Sequence, residues 1–124
     1  MTLFLNKSTT RLEKKGINAL EKLSKVIARY PNMRIKVVGH TDNTPPHASF
    51  KDNWIFSVLQ SATIAKTLAS EFNLSHSQIT ASGKGEFNPR TSNATTKGKA
   101  ANRRIEFLIA PNPEDLVKAI RKEL

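Results

Sequence analysis

Asp42 stands just past the end of an apolar run, in the segment Val38-Gly39-His40-Thr41-Asp42-Asn43-Thr44-Pro45-Pro46. That segment holds too many turn formers to continue as a strand. A carboxylate at the mouth of a sheet, with hydroxyls and backbone amides around it, is equipped to hold a cationic group. The same Asp42 and Asn43 could equally well close a turn. On this segment alone both readings stay open. His40, Asp42 and His47 also suggest a zinc trio. Pro45 and Pro46 constrain that turn and no fourth ligand stands nearby, so no metal is expected. His40 reads better as a hydrogen-bond partner that orients the loop, and its titration near neutrality would make binding pH-sensitive. No Ser-His-Asp order, catalytic carboxylate pair or phosphate loop stands out. A non-enzyme without cofactor is therefore expected.

These residues must be positioned by one domain, because 124 residues suffice for a single core and not for two. No apolar run is long enough to span a bilayer, and Met1-Thr2-Leu3-Phe4-Leu5 is too short for a signal peptide. An export or anchor segment, if the domain works outside the cytosol, is expected on a longer natural chain. The absence of cysteine removes disulfides, thiol nucleophiles and thiolate metal sites. The formal charge of +10 favours polyanionic surroundings. The basic residues are spread out, without a basic run or interleaved aromatic rings, so no nucleic-acid partner is expected.

The elements alternate. Leu3-Phe4-Leu5 is a short strand. Thr10 and Glu13 form a capping box before a helix whose inward stripe is Gly16, Leu20, Leu23, Ile27 and Tyr30, ended by Pro31. Ile35, Val37 and Gly39 mark a second strand, followed by a polar loop from His40 to about Asp52. Asp52 or Asn53 caps a second helix, with Ile55, Val58, Ala62, Ala65, Ala69 and Phe72 expected inward and Leu59 and Leu68 beside them. Ile79 to Ser82 is a third strand, broken by Gly83 and Gly85. A short helix over Lys97 to Ala101 precedes a fourth strand of Ile105, Phe107 and Ile109. A terminal helix from Glu114 to Leu124 would turn Leu116, Val117 and Ile120 inward. The order βαβαβ(α)β gives an α/β fold, an α+β two-layer sandwich of helices on a four-stranded sheet.

Four motifs then appear in order. Gly39-His40-Thr41-Asp42-Asn43 resembles the signature loop of OmpA-like peptidoglycan-binding domains. Asn53-Trp54-Ile55-Phe56-Ser57 resembles the family's Asn-x-x-Leu-Ser helix start. Ile79-Thr80-Ala81-Ser82-Gly83-Lys84-Gly85-Glu86 with Pro89 resembles its third strand and exit. Asn93-x-Thr95 and Gly98-Lys99-Ala100-Ala101-Asn102-Arg103-Arg104-Ile105-Glu106 resemble its last signature. Thr44-Pro45-Pro46 and Phe50-Lys51-Asp52-Asn53-Trp54 are similar to the MotB-like stator subgroup, at its C-terminal periplasmic domain. The resemblance implies a mixed sheet with an antiparallel last strand. It implies one OmpA/MotB-like domain over residues 1–124, with a core of about 3–110 and a C-terminal helix of about 113–123.

The function implied by the resemblance is a periplasmic, non-catalytic anchor that ties an inner-membrane stator or secretion complex to peptidoglycan in a Gram-negative cell. The partners implied are peptidoglycan, a stator-type partner subunit reached through the missing N-terminal region, and a second copy in a homodimer. The ligand implied is diaminopimelate of the stem peptide, whose free end carries an ammonium and a carboxylate. Asp42 matches the family acid that holds the ammonium. Thr41, Asn43 and Thr44 are loop donors and acceptors, while Asn102 and Arg103 match the far side of the groove. The family's helix arginine is replaced by Gln60, a neutral amide without a bidentate charged fork. Position 60 lies off the Val58, Ala62, Ala65 stripe and is expected at the exposed mouth of the groove. Lys51, Lys99 or Arg103 would have to supply the cation. Otherwise the domain binds weakly, or keeps the fold as a structural or interaction module that has lost wall binding. An outer-membrane-linked anchor is a further alternative.

Overall fold

The computed structural model describes residues 2–4, 14–46, 50–110 and 113–123. Its elements run β1 (Thr2–Phe4), α1 (Lys14–Ala28), β2 (Arg34–His40), α2 (Asn53–Ser70), a 3-10 turn (His76–Gln78), β3 (Ile79–Gly85), α3 (Thr96–Asn102), β4 (Arg104–Ala110) and α4 (Pro113–Glu123). The expected capping box at Thr10 and Glu13, and the strand residue Leu5, lie outside the described residues.

The four strands make one mixed sheet in the order β1-β4-β2-β3. β2 and β3 are parallel, with Val37 opposite Ala81, and α2 is the crossover between them. β4 runs antiparallel to β2, with Val37 opposite Phe107, as the resemblance implied. That direction returns the chain to the end where β2 finished, so the loop after His40 and the residues before Arg104 meet. α1 and α2 cover the face that carries Ile35, Val37, Ile105 and Phe107. Leu20 and Ile27 of α1, Ile64 and Leu68 of α2, and Leu74 complete the buried cluster.

Two expectations about the strands change. β3 does not stop at Ser82 but continues through Gly83 to Gly85. His40 closes β2 instead of opening the loop. The larger correction concerns α2. Its buried side is Asn53, Ser57, Gln60, Ser61, Ile64 and Leu68, while Ile55, Val58 and Leu59 are exposed. The cause is a close approach. A Cβ on Gly39 would lie 2.2 Å from the Ser57 carbonyl oxygen, and one on Gly83 would lie 2.3 Å from Ser57 Oγ. Only a small side chain on the helix fits over those two glycines, so Ser57 turns inward and the larger Ile55 and Val58 turn out. Burial of the serines is tolerated because their hydroxyls donate to their own helix, Ser57 Oγ to the Trp54 carbonyl at 2.7 Å and Ser61 Oγ to the Val58 carbonyl at 2.9 Å. Tyr30 of the first expected stripe is also exposed, as are Val117 and Ile120 of α4, which were expected inward.

Candidate functional site

Asp52 caps α2 by accepting the Ile55 backbone N–H at 2.8 Å. The cap fixes Asn53 at the first turn, and the Asn53 side-chain amide donates to the carbonyls of Asp42 at 3.3 Å and Thr44 at 3.0 Å. The Thr41 backbone N–H donates to the Gly85 carbonyl at 2.9 Å, and the Thr41 hydroxyl to the Asp42 carbonyl at 2.8 Å. The loop after β2 is thus held by β3 on one side and α2 on the other. Asn43 is exposed at its tip. His47, the outer member of the zinc trio, lies outside the described residues. Among the described residues no three His, Asp or Glu side chains gather as metal ligands.

Inside this loop the Asp42 carboxylate is buried. Oδ1 accepts the Thr44 backbone N–H at 2.7 Å, which is the turn contact foreseen as one of its two readings. Oδ2 accepts Arg103 Nη1 at 2.6 Å in an ion pair. Burial alone would raise the Asp42 carboxyl. The Thr44 N–H and the Arg103 guanidinium outweigh it and hold the group below its ordinary value. Four residues earlier, one helical turn along α3, Lys99 Nζ donates to Thr44 Oγ1 at 3.1 Å. Two cations from the short segment before β4 therefore reach this loop, Arg103 at its acid and Lys99 at Thr44. Arg103 Nε is buried and has no hydrogen-bond partner among the described residues. Lys51, the third cation considered, is exposed.

Asn102 is fully buried, and its amide is committed elsewhere. Its Oδ1 accepts the backbone N–H groups of Arg90 at 2.8 Å and Thr91 at 3.2 Å. Its Nδ2 donates to the Thr91 carbonyl at 2.9 Å and to Asn93 Oδ1 at 2.7 Å. Asn102 ties the 90–93 loop to α3 and so sets where Arg103 begins. Gln60 is 3% exposed, not at the groove's mouth, and its Oε1 has no hydrogen-bond partner among the described residues. The rotation of α2 forced by Gly39 and Gly83 carries it inward.

Among the described residues, His40 makes no hydrogen bond to the loop through its ring nitrogens. Its side chain points across the sheet, where Nε2 lies 3.4 Å from Glu106 Oε2. Arg104 Nε donates to the other oxygen of Glu106 at 2.8 Å, and Arg104 Nη2 to the Asn88 carbonyl at 3.1 Å. Burial first, then Arg104, lowers the His40 pKa, with Glu106 opposing. Sequence reasoning missed the clamp made by Asn53; its place directly after the cap Asp52 was the available signal. It also missed a second surface, where Trp54 and Phe87 stand together.

Comparison with known proteins places these observations. The sequence model of a family described as OmpA family matches residues 4–103. Motility protein B of Bacillus subtilis (strain 168) is 31% identical over 111 residues, covering 89% of this chain and 42% of that protein. The peptidoglycan-binding protein ArfA of Mycobacterium tuberculosis is 31% identical over 90 residues, covering 73% of this chain and 26% of that protein. The chain thus spans less than half the length of these curated relatives. Among solved structures, the periplasmic domain of Helicobacter pylori MotB (residues 90-256) superposes with a TM-score of 0.78 at 25% identity, covering 96% of this chain and 74% of that one.

Proposed function

Because the chain belongs to the OmpA family, we propose that it is a non-catalytic domain that binds peptidoglycan and anchors a MotB-like inner-membrane assembly to the cell wall from the periplasm. The observation that carries this reading is the Asp42–Arg103 pair at 2.6 Å, with Lys99 one turn away. An amino-acid head group brings its own ammonium and carboxylate. Asp42 has lone pairs left for the ammonium beyond the two contacts it makes, and the Arg103 fork has donors left for the carboxylate. The head group adds no net charge to a pair that is already neutral, so binding exchanges one ion pair for two without stranding a buried charge. Arg103 in this reading takes over the carboxylate contact that the family gives to the helix position occupied here by Gln60. Thr41, Asn43 and Thr44 supply the loop, and Asn102 positions Arg103.

Sedimentation with purified sacculi, beside titration with a diaminopimelate-containing muropeptide, tests it. Arg103→Gln should weaken muropeptide binding ten- to thirtyfold, the equivalent of about 1–2 kcal/mol for one charged contact. Asp42→Asn should weaken it similarly. Undiminished binding by both variants would remove the groove from the function. The buried, internally satisfied state of Asp42 favours one second reading, a scaffold domain that has lost wall binding. Failure of the wild type to bind sacculi would select it.

A further inference from the structure

Beside the groove, Trp54 and Phe87 form an exposed aromatic corner that the Asp42 site does not use. Trp54 is 57% exposed and Phe87 69% exposed. Large aromatic side chains left so open in water carry a desolvation advantage for whatever covers them. The corner is also fixed. The Trp54 indole N–H donates to the Gly83 carbonyl at 2.9 Å, which holds the ring plane on the end of β3. Phe87 is set by a tight turn in which its backbone N–H donates to the Lys84 carbonyl at 3.2 Å. The two rings meet edge to face, with centroids 5.8 Å apart and planes at 69°. They line a pocket of about 510 Å³ whose other walls are Gly83, Lys84 and Asn88.

We infer that this corner is a saccharide subsite that takes an N-acetylated amino sugar of the glycan strand to which the stem peptide is attached. The inference rests on the wall-binding reading above and names the other half of the same polymer. A pyranose ring has one face of C–H groups and a rim of polar groups. The C–H face carries the partial positive charge that an aromatic face attracts. The rim needs donors and acceptors, and two of the residues that line this pocket, Lys84 and Asn88, carry an ammonium and an amide. The position agrees as well. Trp54 directly follows Asn53, whose amide holds the Asp42 loop, and the Thr41 N–H bonds Gly85 on the same strand end as Gly83. The corner and the Asp42 loop are therefore neighbours at the same end of the sheet, joined through Asn53 and Gly85. The neighbouring strip of Ile55, Val58 and Leu59 lies on the other flank of Trp54 and carries no polar group. Its aliphatic character suits a protein surface, whereas the Phe87 side combines flat rings with polar walls.

The chain has a single tryptophan, so Trp54 fluorescence reads the corner directly. The probe is a peptide-free tetramer of β-1,4-linked N-acetylglucosamine. It should shift the emission to the blue, protect it from acrylamide and saturate. Phe87→Ala, at an exposed position that the core does not depend on, should weaken this response roughly five- to tenfold. The same variant should lower retention on sacculi. Lys84→Ala gives a second, independent variant and should weaken the response too. An unchanged emission with saturating tetramer, while sacculi are still bound and Phe87→Ala is without effect, overturns the subsite and leaves the wall-binding reading standing. An emission that tracks protein concentration in step with a sedimenting dimer assigns the corner to a second copy and overturns the subsite. A response to oligo-dT that exceeds the response to the tetramer does the same in favour of base stacking. Sacculus binding lost together with the tetramer response overturns both readings.

Discussion

His40 is 1% exposed at the end of β2, between Glu106 and Arg104. Its folded pKa is lowered by burial, by Arg104 and by Lys84 against the pull of Glu106. Below the unfolded value of about 6.5, the unfolded chain therefore binds more protons than the folded one. Stability rises with pH in that window and is lost as pH falls below about 6.5. Denaturant midpoints measured from pH 7.5 to 5 should fall for the wild type and stay flat for His40→Gln. Asp42 and Glu106 are held below their ordinary values too, so their contribution is present above those values and is lost only in stronger acid. A slope that survives in His40→Gln would assign the effect to another group. Gln60 gives a second test at this scale. Its buried Oε1 has no partner among the described residues, so Gln60→Met should leave stability unchanged or raise it by up to about 1 kcal/mol. Gln60→Arg places a cation in the same buried position and should lower Tm, which the exposed position expected from sequence would not have done. A loss above about 1 kcal/mol in Gln60→Met would reveal a bond made by the amide.

At the scale of elements, the contact of α2 with β2 and β3 decides the most. Gly83→Ala would put its Cβ 2.6 Å from the backbone nitrogen of Val58 as well as against Ser57 Oγ. Backbone cannot swing aside as a side chain can, so the helix must lift. The expected cost is about 1–3 kcal/mol of overpacking, read as a lower denaturation midpoint. Binding should fall with it, because Asn53 on the same helix clamps the Asp42 loop. An unchanged midpoint would mean that α2 rides less tightly than this geometry requires. The same contact marks where the sequence stopped being readable. Strand alternation in Ile35 to Gly39 and Ile105 to Ile109, the cap at Asp52 and the break at Pro31 are local signals, and they gave the elements and their order. The inward side of α2 is set by Gly39 and Gly83, which are far from it in sequence. A rule that turns apolar residues inward chose Ile55 and Val58 and missed Ser57 and Ser61. Within the site, Asp42 and Arg103 were legible as residue types in a familiar order. Their bond was not, because it depends on Asn102 fixing the 90–93 loop and so the start of β4.

For the molecule as a whole, the charge of +10 and the groove make separable contributions to any polyanion contact. Scattered surface cations act through solvent, where the screening length is about 10 Å at 0.1 M salt and shrinks to about 3 Å at 1 M. Asp42, Thr44 and Arg103 act through direct contacts. Raising NaCl from about 50 to about 500 mM should therefore weaken sacculus binding of the wild type while preserving most of its difference from Asp42→Asn. A difference that vanishes with salt would make the attraction diffuse. The anchoring proposed above would require the domain to carry load, and the strand order bears on how. β1 is one of the two edge strands and, among the described residues, pairs with β4 through Thr2, Leu3 and Phe4. It runs antiparallel to β4, and therefore in the same direction as β2, whose end carries the Asp42 loop. Tension between residue 2 and a ligand held at Asp42 is then directed along the strands. It shears the ladder of β1 on β4, so that its hydrogen bonds resist together and do not unzip one at a time. β1, the shortest strand among the described residues, would be the mechanical fuse of the domain, slipping as a unit while the Asp42 loop keeps its hold on β3 and α2.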